Sequence, residues 1–320
     1  MHIPYHARTD VGKTRDHNED DYGYGEGPLG DLLVVCDGMG GHASGEVASH
    51  LAVETIVDAY YSAGGADRGQ ALEEAFVRAN ELIYIEGRGT MGTTGVAALF
   101  VGDAAVVANV GDSRAYLIRH GAPQQITRDH SLVGDQIAAG LITTEQSRSL
   151  YYRNVITRAL GYQLEVAVDV FMVPVQLGDR LVLCSDGLHG LVEDAEIATI
   201  AAAAPLEQAV DTLIDLANER GGTDNITVLI AEVAGLDTAA RASEIGAASD
   251  DLGGAPDERP TRLLRVDDPA PAIGPATALV SRDATPPAKR LAAPGAIIAL
   301  MMMVVLLGAI WWMLPGIIAR

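Results

Sequence analysis

Cysteine is almost absent from this chain of 320 residues, with Cys36 and Cys184 its only two. Both lie inside apolar runs and form no CxxC pair. This excludes a disulfide framework and a cysteine zinc site, and it reads as two core residues in a reducing compartment. Basic residues are also few, 22 against 43 acidic ones, giving a formal charge of -21 and a pI near 4.6. Such a balance excludes general affinity for nucleic acid and for anionic lipid surfaces. The opening "MHIPYHARTD" lacks the apolar stretch of a signal peptide, so the N-terminal part is expected in the cytoplasm.

Hydrophobic residues make up 48% of the chain, enough to fill a sizeable core. Residues 291–319 carry no charge, and "GAIIALMMMVVLLGAIWWML" within them predicts one transmembrane helix. Trp311 and Trp312 suit one interface, and Lys289 and Arg290 mark the other as cytoplasmic. Three regions are expected: a folded body over 1–234, a disordered linker rich in Ala, Pro, Gly and Asp over 235–290, and the helix with a short tail over 291–320. The linker's flexible reach is on the order of 40 Å. The expected placement is a single-pass protein of the cytoplasmic membrane with its body in the cytoplasm.

Within the body, short valine-rich runs read as strands: "DLLVVC", "TTGVAALFV", "AAVVANV", "RAYLIR", "VDVFMV", "RLVLCS" and "NITVLIAEV". Two longer stretches read as helices. In "SGEVASHLAVETIVDAYYSA" the apolar positions Val47, Leu51, Ala52, Ile56 and Ala59 recur at helical spacing, with Ser44 as the expected N-cap. "PLEQAVDTLIDLANERGG" repeats the pattern, with Pro205 near its start and Gly221 past its end. Strand following strand indicates antiparallel pairing rather than βαβ units.

Four aspartates fall at strand boundaries. Asp37 and Gly38 follow one apolar run, Asp186 and Gly187 follow another, Asp112 separates two strands, and Asp224 precedes a third run. A single Asp-Gly suits a turn. Several carboxylates brought together repel unless cations neutralise them, and oxygen ligands of this kind favour Mg²⁺ or Mn²⁺ over zinc.

The motifs "TRDHNED" (14–20), "CDGMGGHASGEVAS" (36–49), "MGTT" (91–94), "VGDSRAY" (110–116), "RNVITRALG" (153–161), "CSDGL" (184–188) and "TDNIT" (223–227) resemble, in order and spacing, the metal-dependent protein phosphatase 2C family in its bacterial form. The resemblance covers about 5–233. It implies an α+β fold, an αββα sandwich of two antiparallel sheets flanked by helices. It also implies a serine/threonine phosphatase that uses two Mn²⁺ or Mg²⁺ ions and no phosphoenzyme. By the same resemblance Asp37 bridges both ions, Gly38 offers its carbonyl to one of them, Asp186 and Asp224 complete the second ion's shell, and Glu19 matches the acidic residue near that ion, either direct or through water. Asp112 shares a weaker third ion with Asp186. Arg15 matches the arginine that holds the substrate phosphate, and His42 lies where the leaving-group acid is sought. His17, His130, His189, Asp20 and Asp129 are expected to brace loops. The stretch 129–161 resembles the family's flap, with Tyr151 and Tyr152 where many relatives have His-Pro. The implied partners are phosphoserine and phosphothreonine proteins, among them a serine/threonine kinase, and the body is expected to be monomeric.

Two rivals remain at this stage. A nucleotide-binding loop fits poorly, because "GMGGHASGE" lacks the lysine of a P-loop and the GxGxxG spacing. A membrane-tethered, non-catalytic phosphoprotein reader predicts missing metal carboxylates.

Overall fold

Leu32, Val34 and Cys36 face one way along their strand, Leu33 and Val35 face the other, and both sets are buried. A strand covered on both faces needs no polar alternation, which explains the unbroken apolar runs. The computed structural model describes residues 2–40, 43–63, 67–147, 149–236, 263–264 and 280–281.

One sheet runs in the order β1 (Tyr5–Asp10), β12 (Ile226–Glu232), β11 (Arg180–Cys184), β7 (Arg114–Arg119) and β8 (Ala122–Gln125). The other runs β13 (Leu263–Leu264), β10 (Asp169–Pro174), β6 (Ala104–Val110), β5 (Gly95–Val101), β3 (Asp31–Met39) and β2 (Asp20–Gly25), with β4 (Gly92–Thr93) paired to the end of β3. A two-stranded ribbon joins β9 (Val155–Ile156) to β14 (Val280–Ser281). Every pairing is antiparallel except β13 on β10.

The sheets press a shared core between them, built from residues such as Phe100, Phe171, Leu117, Leu183 and Leu229. Helices α1 (Ala43–Ala63) and α2 (Arg68–Gly87) cover the outer face of the β3 sheet, meeting Leu32, Val34 and Ala97. After the short α3 (Leu132–Ala138), α4 (Thr144–Ser147) and α5 (Asp186–His189), helices α6 (Asp194–Ala203) and α7 (Leu206–Glu219) cover the other sheet through Val182, Val228 and Ile230. This is the expected four-layer αββα arrangement.

All seven expected strands are present, and α7 begins after Pro205 as its pattern predicts. Three local expectations change. Ser44 lies inside the first turn of α1 rather than capping it, and Val47 is exposed. Helix α2 is additional: Leu72, Ala75, Phe76, Ala79 and Ile83 form its buried stripe, and the Asp67 carboxylate caps it by accepting from the Gln70 amide at 3.0 Å. Strands β1 and β2 are additional too. They are only half buried and lack a valine run, so strand pairing rather than local propensity defines them.

No described helix is long and apolar enough to cross a membrane. The expected span at 291–320 lies outside the described residues, as does the 235–290 segment apart from β13 and β14.

Candidate active site

Register brings the acidic motifs together. Asp20 on β2 stands opposite Asp37 on β3, so "TRDHNED" and "CDGMGG" meet by strand pairing. Asp37 lies inside β3 rather than beyond its end. Its amide donates to Thr94 Oγ1 at 3.0 Å, its carbonyl accepts from the Thr94 amide at 2.9 Å, and the Thr94 hydroxyl meets the Ser113 hydroxyl at 2.7 Å. The "MGTT" and "GDSR" motifs therefore clamp the Asp37 backbone to the turn that carries Asp112.

Close approach accounts for the glycines. A Cβ on Gly38 would strike the Gly45 carbonyl and lie 2.6 Å from the Glu19 carbonyl. One on Gly45 would stand 2.6 Å from Glu19 Oε1, and one on Gly187 would strike the Asn225 carbonyl. Gly38 and Gly45 thus let the start of α1 press on Glu19, while Gly187 lets α5, which begins at Asp186, press on the residue after Asp224.

Asp20 Oδ2 accepts from Ser185 Oγ at 2.7 Å and Thr227 Oγ1 at 2.8 Å, joining β2 to β11 and β12 across the two sheets. Asp20 Oδ1 is a buried acceptor with no hydrogen-bond partner, and the buried Glu19 Oε1 has none of full geometry, the Gly45 amide only approaching its carboxylate. Burial, with Asp224 and Asp186 nearby, pushes the Asp20 carboxyl up to about 7. Burial also raises that of Glu19, against the opposing charge of Arg15. An all-oxygen cluster with an orphaned buried acceptor fits a hard divalent cation. Among the described residues, no three acidic, histidine or cysteine side chains already converge on one point as a closed cage.

The phosphate-binding candidate Arg15 sits against a carboxylate: its Nη2 donates to Asp224 Oδ2 at 2.8 Å. Asp224 Oδ1 accepts from the Asn225 amide at 2.9 Å. Asn225, which the sequence reading passed over, secures this edge. Its Nδ2 donates to the carbonyls of Val11 at 3.0 Å and His17 at 2.9 Å, and its Oδ1 accepts from the Glu19 amide at 2.8 Å. Its place in "TDNIT" was the only signal.

Asp112, Asp186 and Asp224 line one cleft of about 180 Å³, together with Ser147, Arg153 and Asn154 of the flap. Asp37 and Glu19 are not among the residues lining it. His42 lies outside the described residues. His17 is exposed and contributes its carbonyl rather than its ring, whereas buried His189 donates from Nε2 to the Asp112 carbonyl at 3.0 Å. Asp129 braces as expected, taking both oxygens to Arg114 of β7, the shortest contact being 2.6 Å.

His130 pins both stems of the flap. Its Nδ1 accepts from the Gly111 amide at 3.0 Å, its amide donates to the Gly111 carbonyl at 2.9 Å, and its own carbonyl accepts from the Thr157 amide at 2.9 Å. Nε2 then carries the proton toward Asp169 Oδ2 at 3.2 Å, while Arg158 holds Asp169 Oδ1 at 2.7 Å. Burial lowers the His130 pKa, against the opposing Asp169 hydrogen bond. Burial pulls the Asp169 carboxyl upward, but His130 and Arg158 outweigh it and hold it at about 2.

The unfolded imidazole takes its proton near pH 6.5 and the folded one does not, so His130 weakens the fold as pH falls below about 6.5. Asp169 adds to that loss below about pH 4, whereas Asp20, protonated more readily when folded, contributes the opposite slope from about pH 4 to 7. The His130 part is isolated by comparing denaturant midpoints of wild type and His130→Gln. Below pH 6.5 the variant's acid slope is expected to be shallower, by at most about 1.4 kcal/mol per pH unit. Parallel curves would assign the pH dependence to other groups.

Comparison with known proteins agrees with this geometry. The profile of the family Protein phosphatase 2C matches residues 12–229. The serine/threonine phosphatase Stp of Listeria innocua is 40% identical over 243 residues, spanning 72% of this chain and 96% of that protein. The crystal structure of the Mycobacterium tuberculosis serine/threonine phosphatase PstP/Ppp superposes with a TM-score of 0.65 at 38% identity, covering 72% of this chain and 98% of that one. A structure of the catalytic domain of serine/threonine phosphatase PstP in complex with two manganese ions gives a TM-score of 0.64 at 36% identity, over 72% and 97% of the two chains.

Proposed function

This chain belongs to the protein phosphatase 2C family and is a serine/threonine protein phosphatase, and from that premise we propose that it hydrolyses phosphoserine and phosphothreonine with a metal-activated water, forming no phosphoenzyme. The observation that carries the mechanism is the meeting of the motifs bearing Asp37, Asp186 and Asp224 around two buried carboxylates, Glu19 and Asp20, of which Asp20 Oδ1 is an acceptor with no hydrogen-bond partner.

In this reading Asp37, the Gly38 carbonyl, Asp186, Asp224 and Glu19 are the groups that would hold two Mn²⁺ or Mg²⁺ ions. Asp112 and Asp186, on the same cleft, hold a weaker third ion. Two such ions, when bound, supply an activated water and neutralise charge on the phosphoryl group. Each carboxylate has about four lone-pair sites, so Asp224 can keep its bonds to Arg15 and the Asn225 amide and still face a cation. Arg15 is the proposed holder of the substrate phosphate, because a guanidinium can present two parallel donors to phosphate oxygens. His42 is the proposed proton donor to the departing alkoxide. Neither thiol is a rival nucleophile, because Cys36 and Cys184 are buried and burial raises both pKa values.

We also propose that the C-terminal apolar segment anchors the enzyme in the bacterial cytoplasmic membrane, where its substrates include a serine/threonine kinase. The hydrolytic reading is tested with the full chain in mild detergent, by following phosphate release from a phosphothreonine peptide with and without manganese. Turnover that requires the metal supports the reading, and metal-independent turnover sinks it. In the same assay Arg15→Lys keeps the charge but loses the fork, and is expected to raise KM about tenfold, roughly 1.4 kcal/mol.

A further inference from the structure

Lysine is as rare here as cysteine: Lys13 and Lys289 are the only two, and Lys13 is the only one in the catalytic body. It occupies the loop that carries Arg15. That loop is fixed at both ends, by Asn225 bonding the carbonyls of Val11 and His17, and in the middle by the Lys13 amide donating to the Gly222 carbonyl at 2.7 Å. Gly222 adopts φ 51°, and a Cβ there would stand 3.2 Å from Lys13 Cγ. The lysine stem therefore crosses the Gly222 backbone, while the Arg15 guanidinium reaches Asp224 two residues on. The two cations flank one short segment at the edge of the site.

They differ in engagement. Arg8, Arg114, Arg119, Arg180 and Arg220 are each tied to a carboxylate, as is Arg15. Lys13 is exposed and makes no ion pair with another described residue. On a chain of net charge -21, an exposed and unspent cation beside the phosphate-binding arginine is a local exception to a field that repels anionic peptides.

We propose that Lys13 is a specificity residue, which selects phosphosites carrying a second anionic side chain, acidic or phosphorylated, close to the phosphoresidue. The inference rests on the phosphatase reading of the same site. The attraction is between solvated charges, so it acts on peptide capture, scales with the added charge and fades with salt.

Three peptides sharing one phosphothreonine test it, with neutral flanks, with flanking aspartates, or with a second phosphothreonine two residues away. The full-length wild type is expected to favour the aspartate peptide in kcat/KM by about two- to fivefold at low ionic strength, through KM, and the doubly phosphorylated peptide by at least as much. The preference is expected to shrink in 0.5 M salt, where the screening length is only about 3–5 Å. Lys13→Gln is expected to turn over the neutral peptide as wild type does while losing the preference, and Lys13→Arg to keep it. An acidic preference that survives in Lys13→Gln, or a wild type that favours the neutral peptide, overturns the proposal. A preference for the second phosphate alone restricts the anion to phosphate. Failure to hydrolyse any of the three peptides overturns the phosphatase reading, and this inference with it.

Discussion

Asp37→Asn is expected to lower kcat/KM on a phosphothreonine peptide about a thousandfold, roughly 4 kcal/mol of barrier, without loss of the fold. The size follows from position. Asp37 is the proposed ligand of both ions, and an amide in its place offers one neutral oxygen where two charged ones stood. The fold should survive because the backbone at this residue is held independently of the side chain, through β3 pairing and the two Thr94 bonds. Removing one charge from a crowded acidic cluster also relieves repulsion. The check is single-substrate kinetics beside a thermal melt of the metal-free protein. A variant that keeps more than about a tenth of wild-type activity would show that Asp37 bridges nothing, whereas a large fall in Tm would reassign the loss to folding.

Asn225→Ala is expected to destabilise the body by about 3 kcal/mol, because three bonds go and the half-buried Glu19 amide is left without its acceptor. For a body of this size that is a fall in Tm of roughly 6–12 °C. Kinetics should report a second effect. The loop that carries Arg15 loses both end anchors, so KM rises even where the enzyme remains folded. Adding back only the acceptor, with Asn225→Asp, should not restore either property, since the two carbonyls stay without donors and a new charge stands beside Asp224. If Asn225→Ala melts with wild type, the loop must be held by its other bonds, the Lys13 amide to Gly222, the Gly12 amide to Asp10 and Arg15 to Asp224.

What the sequence made legible, and what it did not, divides along physical lines. Strands β3, β5, β6, β7, β10, β11 and β12 were readable because burial on both faces leaves continuous apolar runs. The aspartates stood out because a charge interrupts such a run abruptly. Strands β1 and β2 were not readable, since half burial and mixed polarity give no period. Helix α2 hid its stripe behind a charged outer face. The pairing of Arg15 with Asp224 joins residues 209 apart in sequence, and Asn225 reaches across a similar separation. Such contacts are products of tertiary packing, and motif spacing places the residues at the site without saying which of them touch. The capping expectation for Ser44 failed by two residues, a usual uncertainty at a helix end.

Placing Asp37 in the middle of a buried ladder, instead of on a loop, separates two kinds of mobility. Amides of β3 are shielded by paired strands on either side and should exchange with solvent only through large-scale opening, whereas the exposed stretch around Lys13 and the flap tip at Tyr151 should exchange through small local fluctuations. The proposed cation seat and the proposed substrate-reading surface would therefore belong to different cooperative units. Sequence drift at the rim can change which phosphoprotein is chosen while the hydrolytic machinery behind it keeps its shape, and a lineage can acquire new targets without rebuilding its chemistry.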